Sequence, residues 1–158
     1  MKRITMKNFL SGTLTLSLLI MLGACISFVT KDYAEAKNCL AMNIYHEARN
    51  QSVDGQRAVA FVTMNRLESG IYGETVCDVV YAPKQFSWTW TLSDPSPRDL
   101  GAYQIATNVA IDVLKERIED NTNGADHYHA DYVNPYWATD EYMTKTTTIG
   151  NHIFYKAK

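Results

Sequence analysis

The residues best suited to chemistry lie in Ile44-Tyr45-His46-Glu47-Ala48-Arg49. Glu47 closes an apolar helical stretch. A carboxyl group on the core side of a helix loses hydration, so its pKa rises and it can act as a general acid near neutral pH. Breaking a glycosidic bond needs such an acid. The plainer alternative is a solvated glutamate near a helix end, paired with Arg49 or Arg57. Spacing alone leaves both open.

A second group of candidates is aromatic. Gln85, Phe86, Ser87, Trp88 and Trp90 mix a planar amide, a hydroxyl and rings, and Tyr128, Tyr132, Tyr136 and Trp137 extend that character. A sugar is held by a ring against its apolar face and by hydrogen bonds at its rim, so these residues suit a glycan groove. They would equally suit a core. Ser87 lacks the glycine-flanked elbow of a nucleophilic serine. His127 and His129 are one residue apart and share a face if they lie in a strand. With His46 and His152 they could bind zinc, Glu47 then acting as base. No helical His-Glu-x-x-His supports that alternative.

Helices must position these groups. Residues 32–50 read as a helix with Leu40, Ile44 and Glu47 on one face and Cys39 and Asn43 beside them. Asp54 is a plausible cap for a second helix through Leu67, apolar almost all round and therefore buried, ended by Ser69-Gly70. Val76, Val79 and Val80 form a short apolar element. Ser96-Pro97 reads as the start of a third long helix, running to about Glu119 with Leu100, Tyr103, Thr107, Ala110, Leu114 and Ile118 inward. His127-Tyr128-His129 and the β-branched residues 146–155 read as strands. The expected architecture is α+β, mainly helical with a small antiparallel sheet.

The chain has 158 residues, enough for one domain with a core. Lys2, Arg3 and Lys7 are the only charges in residues 1–30, which leaves 12 basic and 17 acidic groups beyond. A mildly acidic domain is a poor partner for nucleic acid, and any hold on an anionic polymer must be local. The basic start and the apolar run from Phe9 to Val29 read as an export segment, residues 1–36, ahead of a catalytic domain at 37–158. Three fates are open to it. Ala34-Glu35-Ala36 suits cleavage, Leu22-Gly23-Ala24-Cys25 resembles a lipobox, and the run is about long enough to stay as a membrane anchor. Each puts the domain outside the cytoplasm, in the periplasm or cell envelope. Cys39 and Cys77 could pair there, or Cys39 could be a small core residue.

Several blocks together resemble the spore-cortex-lytic (SleB/CwlJ-like) family of cell-wall hydrolases. They are Asn43 to Arg49, Gly55-Gln56 with Ala58-Val59-Ala60, Asn65-Arg66, Cys77 with Val79-Val80-Tyr81, Gln85-Phe86-Ser87-Trp88, His127-Tyr128-His129 and Ile149 to Tyr155. The resemblance covers about residues 39–156. It implies a lysozyme- or lytic-transglycosylase-like fold and peptidoglycan as substrate, cleaved between N-acetylmuramate and N-acetylglucosamine. The family's catalytic glutamate maps onto Glu47, and Gln85, Phe86, Ser87, Trp88, His127, Tyr128 and His129 become candidates for substrate binding. A transglycosylase of this type needs one acid/base carboxylate and no metal or cofactor. An N-acetylmuramoyl-L-alanine amidase using the histidines, or a phage-type endolysin muramidase, are the alternatives.

Two positions depart from the family pattern. Asn50-Gln51 stands where the family usually has Gly-Glu, which removes a candidate second carboxylate. Asp126 stands where it tends to have Thr, and either caps a turn or faces the cleft from the other wall.

Overall fold

The computed structural model describes residues 31–158. The basic start, the apolar run and Cys25 lie outside the described residues. Residues Ala36–Lys158 form a compact unit. Among the described residues no helix is long and apolar enough to cross a membrane.

Helix α1 covers residues 31–48. Its inner face carries Leu40, Asn43 and Ile44, all fully buried. Helix α2, Val53–Ser69, is capped by Ser52, whose hydroxyl accepts the Gly55 N–H. The expected cap, Asp54, pairs with Arg57 instead. Gly70 closes α2 in the left-handed region, φ 67°, where a residue without Cβ sits at no steric cost. Ala58, Val59, Ala60, Val62 and Thr63 make α2 the buried axis of the fold, as its all-round apolar sequence predicts. Helix α3, Val76–Tyr81, has a reciprocal capping box between Thr75 and Asp78. Cys77 on α3 is disulfide-bonded to Cys39 on α1, so the alternative of a free core cysteine falls.

The aromatic stretch contains a single helical turn, α4, Trp88–Thr91. Helix α5, Leu100–Leu114, starts three residues later than Ser96 suggests: Asp99 is the cap and accepts the Ala102 N–H. Its most buried positions are Ala106, Val109, Ala110 and Val113, with Tyr103 and Leu114 packed against the same core, whereas Leu100, in the first turn, is 74% exposed. The helix also stops before Glu119, because Glu116 takes a positive φ of 52°.

Strands β1 (His127–Ala130), β2 (Met143–Ile149) and β3 (His152–Ala157) form an antiparallel sheet in the order β1-β3-β2. The single strand-like run expected at 146–155 is thus a hairpin, turned at Gly150 with φ 56°. A side chain at Gly150 would meet the Gln51 side-chain oxygen at 2.6 Å. That oxygen accepts the Asn151 N–H at 3.3 Å. Gln51 therefore ties the end of α1 to the hairpin turn.

Candidate active site

Glu47 is partly buried in the last turn of α1. Its Oε2 accepts a hydrogen bond from the Tyr128 hydroxyl at 2.7 Å. Burial raises the Glu47 pKa above its ordinary value, offset in part by the Tyr128 hydrogen bond and by the positive charge of Arg66. The result is a carboxyl group that holds its proton more tightly than a surface glutamate, beside a donor that fixes its orientation. Burial and the adjacent Glu47 carboxylate raise the Tyr128 pKa well above normal, so the phenol stays a donor.

Two side chains of α2 place β1 where Tyr128 can reach Glu47. Asn65 Nδ2 donates to the Ala125 carbonyl at 2.9 Å and to Asp120 at 3.1 Å. Arg66 Nε donates to the Asp126 carbonyl at 2.7 Å. Asp120 braces the same loop by accepting the Thr122 and Gly124 N–H groups. Arg66 is 5% exposed, and its guanidinium lies over the rings of Phe86 at 4.9 Å and Tyr72 at 5.4 Å. Its Nη1 has no hydrogen-bond partner among the described residues. A buried cation beside Glu47 favours the ionised carboxylate left after proton donation.

The other expected site residues separate into three places. Phe86 and Trp88 are 1% and 5% exposed and belong to the core. Trp88 Nε1 donates to Asn43 at 3.0 Å, and Asn43 donates to Thr63 at 3.1 Å. An α1–α2 polar pair and apolar neighbours occupy the surfaces of these two expected substrate-binding rings. Gln85 is half-buried and Ser87 exposed on the same segment. Trp90, 54% exposed, is the ring of that stretch that meets solvent.

His127 and His129 lie in a third place. Strand alternation turns Tyr128 to the face that meets Glu47 and the two histidines to the opposite face. There His127 donates Nδ1–H to Asp126 at 2.8 Å. His129 donates Nδ1–H to the Ala130 carbonyl, and its Nε2 accepts the Tyr155 hydroxyl at 3.1 Å. Trp137 packs on both, with ring centroids 5.4 and 5.6 Å away. His46 is elsewhere again, donating to the Pro95 carbonyl at 2.8 Å and stacked on Trp88. Among the described residues no three His, Cys, Asp or Glu side chains converge to hold a metal ion.

The two positions that depart from the family pattern hold a hydrogen-bonded carboxylate, Asp126, and an uncharged amide, Gln51. Asp126 is half-buried, which pushes its pKa up, but hydrogen bonds from His127 and the Ala157 N–H outweigh this and hold it below the usual range. Its oxygen Oδ1 is taken by both donors. Gln51 faces the hairpin turn.

The sequence matches the Cell Wall Hydrolase family over residues 50–155, and the chain belongs to that family. It is 33% identical over 122 residues to a spore cortex-lytic enzyme of Oceanobacillus iheyensis, a stretch that covers 74% of this chain and 40% of that protein. A spore cortex-lytic enzyme of Bacillus subtilis is 31% identical over 120 residues, covering 73% of this chain and 35% of the relative. The chain thus spans well under half the length of these curated relatives. Its fold is that of the catalytic domain of the germination-specific lytic transglycosylase SleB from Bacillus anthracis, with TM-score 0.61 and 27% identity over 77% of this chain and 93% of that one. The SleB catalytic domain of Bacillus cereus matches with TM-score 0.59 and 27% identity over 77% and 91%. The expected α+β, lysozyme-like architecture is therefore the observed one.

Proposed function

We propose that this chain degrades peptidoglycan as a lytic transglycosylase, with Glu47 as its acid/base. The observation that carries the reading is the partly buried Glu47 carboxyl, its pKa raised by burial and its Oε2 held by the Tyr128 hydroxyl. Glu47 protonates the glycosidic oxygen leaving C1 of N-acetylmuramate, and the C1–O bond breaks. The resulting carboxylate is stabilised by Tyr128 and by the Arg66 charge. Glu47 then takes the proton of the same sugar's 6-hydroxyl as O6 bonds to C1. The net change is one proton moved from O6 to the leaving oxygen and a 1,6-anhydro ring. One carboxylate suffices, which accords with the engaged Asp126 and with glutamine at position 51.

Tyr128 is a positioning residue here. Gln85, Ser87 and exposed Trp90 are the members of the aromatic segment able to touch a glycan. Export to the cell envelope follows from the substrate, with residues 1–36 as its signal or anchor; no nucleic acid, metal or cofactor enters the scheme.

The test is digestion of purified peptidoglycan with mass spectrometry of the products. Fragments ending in 1,6-anhydromuramate are expected. Reducing muramic ends would replace this mechanism with hydrolysis. Free stem peptides would replace it with an amidase and move the centre of the site away from Glu47.

A further inference from the structure

Four histidines lie among the described residues, and three of them have polar partners. His46 is bonded to the Pro95 carbonyl and His127 to Asp126, while His129 uses both ring nitrogens, on the Ala130 carbonyl and the Tyr155 hydroxyl. His152 differs. It is 9% exposed, and its Nδ1 is buried without a hydrogen-bond partner among the described residues. A buried polar atom left unpaired costs stability, and an apolar side chain of similar size would fill the same space without that cost. The imidazole at this position points to a use that packing does not supply.

His152 belongs to the face of the sheet that meets Glu47. Phe154 is the register partner of Tyr128 across β1 and β3, and His152 precedes Phe154 by two residues, so the three side chains share that face. The His152 ring stands edge-on to Tyr128, with centroids 5.1 Å apart, and the Tyr128 hydroxyl donates to Glu47. The hairpin turn just before His152 is tied by Gln51 to the end of α1. Two separate contacts thus link His152 to the helix end that carries Glu47.

The proton on the ring decides what it can offer. Burial lowers the His152 pKa; the Asp131 carboxylate raises it and His129 lowers it, with a net decrease that keeps the ring uncharged near neutral pH. An uncharged imidazole has one N–H and one lone pair. An unpaired N–H is harder to bury than an unpaired lone pair, which assigns the lone pair to Nδ1 and the proton to Nε2. With Nδ1 sealed, the open part of the residue lies elsewhere on the ring, where Nε2–H is the donor. The Asp131 charge disfavours a second carboxylate beside this ring, so an uncharged oxygen is the matching acceptor.

We propose that His152 is a substrate-binding residue of the Glu47 site, its Nε2–H donating to a hydroxyl or acetamido oxygen of the glycan strand. The proposal rests on the glycan-cleaving reading above and is tested by binding rather than by cleavage. The full chain carrying Glu47→Gln, which leaves the ligand uncut, is titrated with tetra-N-acetylchitotetraose, an uncharged strand of N-acetylated sugars. Nitrogen NMR of the histidine rings is expected to show the His152 Nε2 resonance moving while those of His127 and His129 stay in place. His152→Phe keeps an aromatic ring and removes the donor, and should weaken binding about tenfold by calorimetry. His152→Gln carries an N–H near the place of Nε2 and should restore most of the affinity, which a packing role would not require. Thermal melts check that both variants fold, and the ring NMR reads the contact with His152 in place whether or not they do. An unmoved Nε2 resonance, no binding of the tetrasaccharide, or equal affinity in a folded His152→Phe variant overturns the proposal. Contact at Nε2 together with free stem peptides in the peptidoglycan digest supports it and overturns the transglycosylase reading. Products ending in 1,6-anhydromuramate with a silent His152 do the reverse.

Discussion

The two faces of the three-stranded sheet carry similar residue types and differ in what they meet. On the helix side, Tyr128 lies against Phe154 and His152 and donates to Glu47. On the other side, His127, His129, Trp137 and Tyr155 satisfy one another. Both faces are aromatic and both contain imidazoles. Only the helix side puts a polar group against a carboxyl with a raised pKa. Composition therefore does not distinguish the two faces; contact with the end of α1 does.

The contrast breaks most sharply at Glu47. Glu47→Gln is expected to lower kcat/KM for peptidoglycan by about a thousandfold, the scale of general acid catalysis, measured by fragment release. The same variant gives a stability test. A carboxyl whose folded pKa lies above its unfolded pKa contributes stability at low pH that is lost as pH rises through the folded value. Glu47→Gln should therefore leave Tm nearly unchanged at acid pH and raise it at neutral pH, by thermal melts across the range. A Tm penalty at neutral pH would mean that the glutamate is a solvated, paired surface residue.

Asn65→Ala removes the hydrogen bonds that hold the 120–126 loop and so loosens the placement of β1. A loss of about 2–3 kcal/mol in denaturant unfolding is expected, from lost bonds and the carbonyl left unpaired. Tyr128→Phe keeps the ring and removes the donor. Cleavage should fall about tenfold. The Glu47 pKa should rise further, since the lost hydrogen bond lowers it, so the alkaline limb of the pH–rate profile should move to higher pH. A loss of rate with an unmoved limb would reduce Tyr128 to packing. The smallest effect is expected on the outer face. His129→Leu should cost about 1 kcal/mol or less, by the same unfolding assay. A large rate loss there would place the substrate across the outer face and overturn the contrast.

Local structure was readable where one short-range force dominates. The all-round apolar stretch in α2 could only be buried, and Gly70 supplies a left-handed stop that few other residues adopt. Caps were less legible. Ser52 and Asp54 are both competent, as are Ser96 and Asp99, and the choice depends on where the loop is tied down. Tyr45 accepts the Arg98 and Asp99 N–H groups and so holds the loop extended up to Asp99. The fate of the aromatic segment was also undecided, since Trp88 stacks as readily on a sugar as in a core until Asn43 is placed opposite its N–H.

The order of blocks from Asn43 to Tyr155 by itself determined the family and the fold class, and it singled out Glu47 as the glutamate proposed for acid catalysis. Strand alternation likewise determined that His127 and His129 share a face. Tertiary structure alone decided that this face is turned away from Glu47, that Tyr128 is the partner of Glu47, and that Tyr45 ties down the loop at Arg98. Each of those facts joins residues between about 50 and 80 positions apart. Pattern within a segment records how its side chains alternate or rotate. It carries nothing about which distant segment packs against them, because that is set by burial and hydrogen bonding across the whole core.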